Sequence, residues 1–348
     1  MEHGQKTIKH PRDLPPLCEL HTHLGSAVDP VVLWTIAHEQ GIKLPAKDYW
    51  GFNDMITMAE GRKNLTLRDM HNHFFHWTEL IQSSPEALEI AAHSVIGGGY
   101  RKCNLVQQEL RFCPMKRNRG GERDLDHIIL STLWGVRRAM LEYPQVRAGV
   151  IVMMDRTFTY EQNKVVVEKA IRYSKDGVIG VDLAGPSRDG FSMQEIAPLF
   201  ARAREAGLGV TVHTGEDHGS SDEMEYVIKE IKPDRIGHGV RAAENPKLLK
   251  LLQKSGIVLE LCPTSNLKNS IVRDVQHLRE IIRAFVDAGV PITINTDGPE
   301  MYQINIAMEE AFLMSENILS EKEIETARAQ AFKASFLNNP PYRAALVS

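Results

Sequence analysis

The sequence predicts an α/β chain folded as a (β/α)₈ barrel, with a helical insertion after its first strand. Two observations carry this. Eight short β-rich runs are separated by longer amphipathic segments, and strand–helix–strand repetition builds a parallel sheet. The length of 348 residues suits a barrel with an insertion better than an open doubly wound sheet.

The first run, "LCELHTHL" at 17 to 24, stands ahead of everything else. Residues 30 to 100 then read mostly as helix, including "DPVVLWTIAHEQG" and "LTLRDMHNHFFHWTELIQ". They are expected to form a lid or side layer. The remaining runs follow in order: "LVQQELRF" (105 to 112), "QVRAGVIVMM" (145 to 154), "VIGVDLAG" (178 to 185), "LGVTVHTG" (208 to 215), "RIGHGV" (235 to 240), "GIVLELCP" (256 to 263) and "PITINTDG" (291 to 298). Between them lie segments such as "LDHIILSTLWGVRRAMLEY" and "VQHLREIIRAFVDAG", with apolar residues at three and four spacing. "EKEIETARAQAFKASF" reads as a closing helix. No Gly/Ser-rich linker marks a boundary, so one domain over 1–348 is expected.

Composition narrows the function classes. A formal net charge of −4 indicates neither a nucleic-acid footprint nor a polybasic membrane patch. The basic run "MKRNRGGERD" at 115 to 124 is short and mixed, and is expected to be a solvated loop. Four cysteines without C-x-x-C spacing argue for a reducing compartment. The polar, Pro-rich start lacks an apolar core, and no run approaches a membrane span, so a cytoplasmic protein is expected.

In a barrel, chemistry sits at the C-terminal strand ends. Strand one ends in His21-Thr22-His23, strand five in His213 followed by Glu216, strand six in His238 and strand eight in Asp297. Alone, Asp297 in "NTDGP" is ordinary turn chemistry, and His21 and His23 are compatible with a pair of core histidines. At i, i+2 on a strand, however, the two imidazoles share a face. With His213 and Asp297 at equivalent ends they make a plausible zinc shell with room for a water. Glu216 is placed to supply the separate proton donor, and His238, between glycines, to orient or deprotonate the water. His71, His73 and His76 fall in a helical pattern and read as structural or lid residues; His218 is open to a supporting or substrate role.

The strings "ELHTHL", "ELRFCP", "VDLAG", "VHTGED", "RIGHGV", "LELCPTSN" and "INTDGP" resemble, in order and spacing, the adenosine deaminase branch of the amidohydrolase superfamily over residues 17 to 337. The resemblance implies a mononuclear zinc enzyme that removes an exocyclic amine from a small-molecule aminopurine. Its ligands would be His21, His23, His213 and Asp297, with Asp297 also contacting the attacking hydroxide. Glu216 would protonate a ring nitrogen, His238 would assist the water, and Gly185 would approach the ring through its backbone. The family's second Asp, which binds the purine, is Gly298 here. The acidic ribose contact is Gly25, and Pro186-Ser187 replace an acidic pair. These departures fall on substrate recognition, so adenine or a modified adenosine such as 6-aminodeoxyfutalosine stands beside adenosine. Two rivals are weaker. A binuclear hydrolase would want a lysine that "VIGVDLAGPS" lacks, and an inactive binding protein would have no use for the proton-handling residues.

Overall fold

The structure, a computed structural model, describes residues 13–58, 69, 71–118, 124–216 and 221–339. Eight strands run in chain order: β1 (Leu17–His23), β2 (Leu105–Phe112), β3 (Arg147–Asp155), β4 (Val178–Ala184), β5 (Gly209–Thr214), β6 (Arg235–His238), β7 (Val258–Leu261) and β8 (Ile292–Ile294). All neighbours pair in parallel in that order. Both faces of such a sheet are covered, which is why β3 and β4 read as nearly unbroken apolar runs. The strand boundaries read from sequence extend at most a few residues past the observed ones.

The seam between β1 and β8 is made differently from the other pairings. β8 is three residues long, and backbone pairing to β1 occurs just beyond it, at the bridge between Thr22 and Asp297. There the His23 amide donates to the Asp297 carbonyl and the Asp297 amide to the His21 carbonyl, each at 2.9 Å. Side chains sew the rest: Asn295 Oδ1 accepts from the Leu20 amide at 3.1 Å, and Glu19 accepts from the Thr296 hydroxyl at 2.7 Å. Glu19 reaches outward because β1 carries a bulge. Between Glu19 and Thr22 three steps on β1 match two on β2, which shifts Glu19 out of alternation with His21.

The insertion is helical where it is described. Helices α1 (Leu24–Ala27), α2 (Pro30–Glu39) and α3 (Tyr49–Ile56) precede a π-helical turn, His71–Phe75, that runs into α4 (His76–Ile81) and then α5 (Pro85–Cys103). Ser84 caps α5 with Pro85 at its first position, and Asn104 ends it in the left-handed region. The barrel floor is plugged from the C-terminal side. After the closing helix, Glu321–Ala334, Phe336 lies 3.5 Å under the Arg235 guanidinium. A β-carbon on Gly209 or Gly180 would come within 2.4 or 2.7 Å of the Phe336 ring, so both positions need glycine.

Candidate functional site

The polar strand ends converge at the top of the barrel. His21 Nδ1 donates to Glu260 Oε2 at 2.7 Å, which leaves Nε2 buried with no hydrogen-bond partner among the described residues. His213 Nδ1 is fixed in the same way by Asp182 at 3.0 Å, and its Nε2 faces His23 Nε2 at 3.1 Å. The three imidazoles bring their ligand atoms within 4.8 Å of one another. Asp297 Oδ1 completes the cluster at 3.3 Å from His23 Nε2 and 3.7 Å from His21 Nε2. Lone pairs aimed at one another without donors between them suit a cation, and each of two imidazoles is oriented by a carboxylate behind it, as metal-bound histidines are. The residues therefore fit a divalent metal.

The local backbone explains the convergence. Asp297 has φ of +64° and His238 φ of +61°, left-handed conformations that cost a non-glycine residue about 1–2 kcal/mol. Ser265 offsets part of that at Asp297 by donating to Oδ2 at 2.6 Å. A β-carbon on Gly237 would stand 2.9 Å from the His21 ring and 3.3 Å from the His213 ring, so glycine lets the imidazoles close.

Burial, reinforced by neighbouring positive charge, holds His21 and His23 well below the ordinary imidazole value, in the neutral form a metal needs. For His213 burial acts the same way, but Asp182 outweighs it and raises the ring's basicity. Burial works against Glu260 as well, yet Arg111 and Arg235 hold its carboxyl down at about 2. Arg111 binds Asp182 and Glu260, each at 2.8 Å. The clustered histidines thus rest on a buried lattice of paired charges.

Glu216 and His238 stand beside the cluster, with Glu216 Oε1 3.7 Å from His238 Nε2. Asn266 lies 3.1 Å from His238 Nδ1 and fixes the ring. His213, Glu216, His238 and Asp297 all line one cleft, with Phe75, Phe112 and Met153 as apolar walls. Gly185, at φ of +89°, also lines it; a β-carbon there would meet Asp155 Oδ2 at 2.7 Å.

One expectation changes, and the space at two glycines is accounted for. The basic run is not simply a solvated loop: Lys116 pairs with Asp155, and Arg117 is buried against the cleft. The reason is Gly25, whose missing side chain leaves room for Arg117 Nη2 and the Phe75 ring, 3.1 and 3.2 Å from where a β-carbon would be. Gly298 faces Ser26, with Oγ 2.7 Å from its β-carbon position, so Ser26 occupies the space a longer side chain would need. The i, i+2 pair His71 and His73 lies in a helical segment, as the pattern predicted, and the turn is of the π type. His218 lies outside the described residues.

Asp182, Glu260, Ser265 and Asn266 were not assigned from sequence, although they lie in the quoted strings. A carboxylate between Val181 and Leu183, or between Leu259 and Leu261, is the signal that could have found the first two.

The model of the family described as Adenosine deaminase matches residues 16–348. An adenosine deaminase of Shewanella denitrificans is 30% identical over 331 residues, covering 94% of this chain and 96% of that protein. Among solved structures, an amidohydrolase from Burkholderia ambifaria with bound Zn superposes with a TM-score of 0.82 at 19% identity, covering 100% of this chain and 93% of that one. The ADAL–IMP complex gives a TM-score of 0.79 at 21% identity over 94% of this chain and 93% of the other. The chain belongs to the adenosine deaminase family of hydrolytic deaminases.

Proposed function

We propose that this protein removes the 6-amino group of an adenosine-like aminopurine by hydrolysis, releasing ammonia and leaving the 6-oxo product. The observation that carries the reading is the cluster of His21, His23, His213 and Asp297 on one rim of a cleft that also holds Glu216. One zinc ion held by those four residues would supply hydroxide from water at neutral pH. His238 orients the water, with its ring fixed by Asn266. Asp297 accepts a hydrogen bond from the same water. Glu216 donates a proton to the ring nitrogen next to the amine-bearing carbon, so that electron density from the attacking oxygen has somewhere to go. The C–N bond then breaks as the hydroxyl proton of the attacking oxygen passes to the exocyclic amine, so the carbonyl forms and ammonia leaves; the ring nitrogen keeps the proton from Glu216, and the other water proton restores that acid. The Gly185 backbone borders the ring, and the apolar walls exclude water from the reacting face.

Substrate choice rests on the corner of the cleft at Gly25 and Gly298, neither of which carries an acidic side chain. That corner does not select the unmodified ribose or ring of adenosine, so a modified adenosine stands beside adenosine as substrate. The test is ammonia release by the zinc-loaded protein from adenine, adenosine, AMP, N6-substituted adenosines and 6-aminodeoxyfutalosine. Release from at least one, with the 6-oxo product formed in equal amount, is expected. Silence across the panel with one zinc bound per chain would overturn the reading.

A further inference from the structure

A second cavity, open to solvent at one side, lies on the outer side of the barrel wall. Thr22 and Gln108 line it from β1 and β2, Gly98 and Gly99 from α5, and Ile306 from the segment after β8. It opens at a rim where Lys102 pairs with Asp29 at 3.4 Å and with Glu300. The deamination chemistry proposed above uses none of these residues.

Three features distinguish it from a packing gap. Gln108 is 2% exposed, and its side-chain Oε1 has no hydrogen-bond partner among the described residues. A buried carbonyl left without a donor is costly, so a ligand or water is wanted there. Gly98 sits inside α5 with nothing within 4 Å of its β-carbon position. Glycine in a helix interior is unfavourable relative to alanine, and no described neighbour requires it here. Gly99 adjoins the same wall, its β-carbon position 3.0 Å from Gln108 Oε1. Two consecutive glycines thus bare a flat strip of helix opposite an unmet carboxamide.

The chemistry of the walls selects the ligand. Lys102 at the rim is paired with Asp29 and Glu300, while Arg101 donates to the Tyr143 hydroxyl and Glu19 accepts from Thr296 and the His21 amide. Val95, Leu105 and Ile306 supply apolar contact, and the glycine strip admits a flat face.

We propose that this cavity is a binding site for a small, flat heterocycle with a cyclic-amide edge, whose N–H donates to the Gln108 side-chain carbonyl. The site stands independently of the deaminase reading.

The experiment titrates the full-length, zinc-loaded protein with uracil, 2-pyridone and hypoxanthine by calorimetry, and solves the crystal structure of the best binder. Wild type is expected to bind at least one probe at Gln108. Gln108→Leu is expected to weaken that binding at least tenfold while keeping its melting temperature within a few degrees. Gly98→Leu projects a side chain into open space, so it is expected to abolish binding with an equal or higher melting temperature. Ordered water alone in the cavity, no binding by any probe, or affinity unchanged in both variants would each overturn the proposal.

Discussion

Asp182 and Glu260 never face the cleft, yet each decides which nitrogen of a histidine is free. Their hydrogen bonds to Nδ1 of His213 and His21 leave both Nε2 atoms turned to the cluster. Asp182→Asn should weaken zinc binding by about 10–100-fold, measured by competition with a chromophoric chelator. Unchanged affinity would show that the carboxylate does not tune the ligand. Glu216 belongs to a different category, because nothing in the cluster depends on it. Glu216→Gln should keep its zinc and lose about 10²–10⁴-fold in kcat, and loss of metal instead would make the residue structural. At this scale the sequence was legible wherever alternation in a strand met an ionisable group, as at His21, His23 and His213. Arg117 was not legible, because its burial depends on the absence of a side chain at Gly25, far away in sequence.

Among the elements, β1 shows why a period is not a register. Strict alternation would put Glu19 on the same face as His21 and His23, and the bulge removes it. No local composition marks that bulge, whereas the strands themselves stand out as apolar runs between helical patterns. The short turn at Phe336 is a second feature that only the closed barrel explains. Its ring fills the floor beneath Gly180 and Gly209 and stacks on Arg235. Phe336→Ala should cost about 3–5 kcal/mol, seen as a lower denaturation midpoint. A midpoint unchanged within error would mean that the floor collapses freely around the gap.

For the molecule as a whole, the barrel interior is an electrostatic object. Arg111 and Arg235 share Glu260, and Arg235 also binds Glu109 at 2.6 Å. Asp182 and Glu260 are each held at about 2, below ordinary values of 3.8 and 4.5; burial opposes this, and the adjacent His213 and arginine charges prevail. A carboxyl lowered on folding binds fewer protons in the native state. Its stabilisation is therefore complete above pH 4.5 and is lost as pH falls through about 2. The metal-free protein should lose stability steeply across that window in an acid titration followed by circular dichroism. A flat profile there would mean the lattice is not what holds the interior.

The β1–β8 seam gives the candidate metal a mechanical meaning. Its two backbone bonds join Asp297 to His21 and His23, three of the four proposed ligands. An ion held there would act as a rivet through the last joint of a hoop, clamping from the side-chain face the same two strands that the backbone clasps from within. Stripping it should loosen that joint first. Amide exchange at His23 and Asp297 is expected to accelerate on chelation well before exchange in β3 or β4, and uniform acceleration across all strands would show that the hoop opens as one.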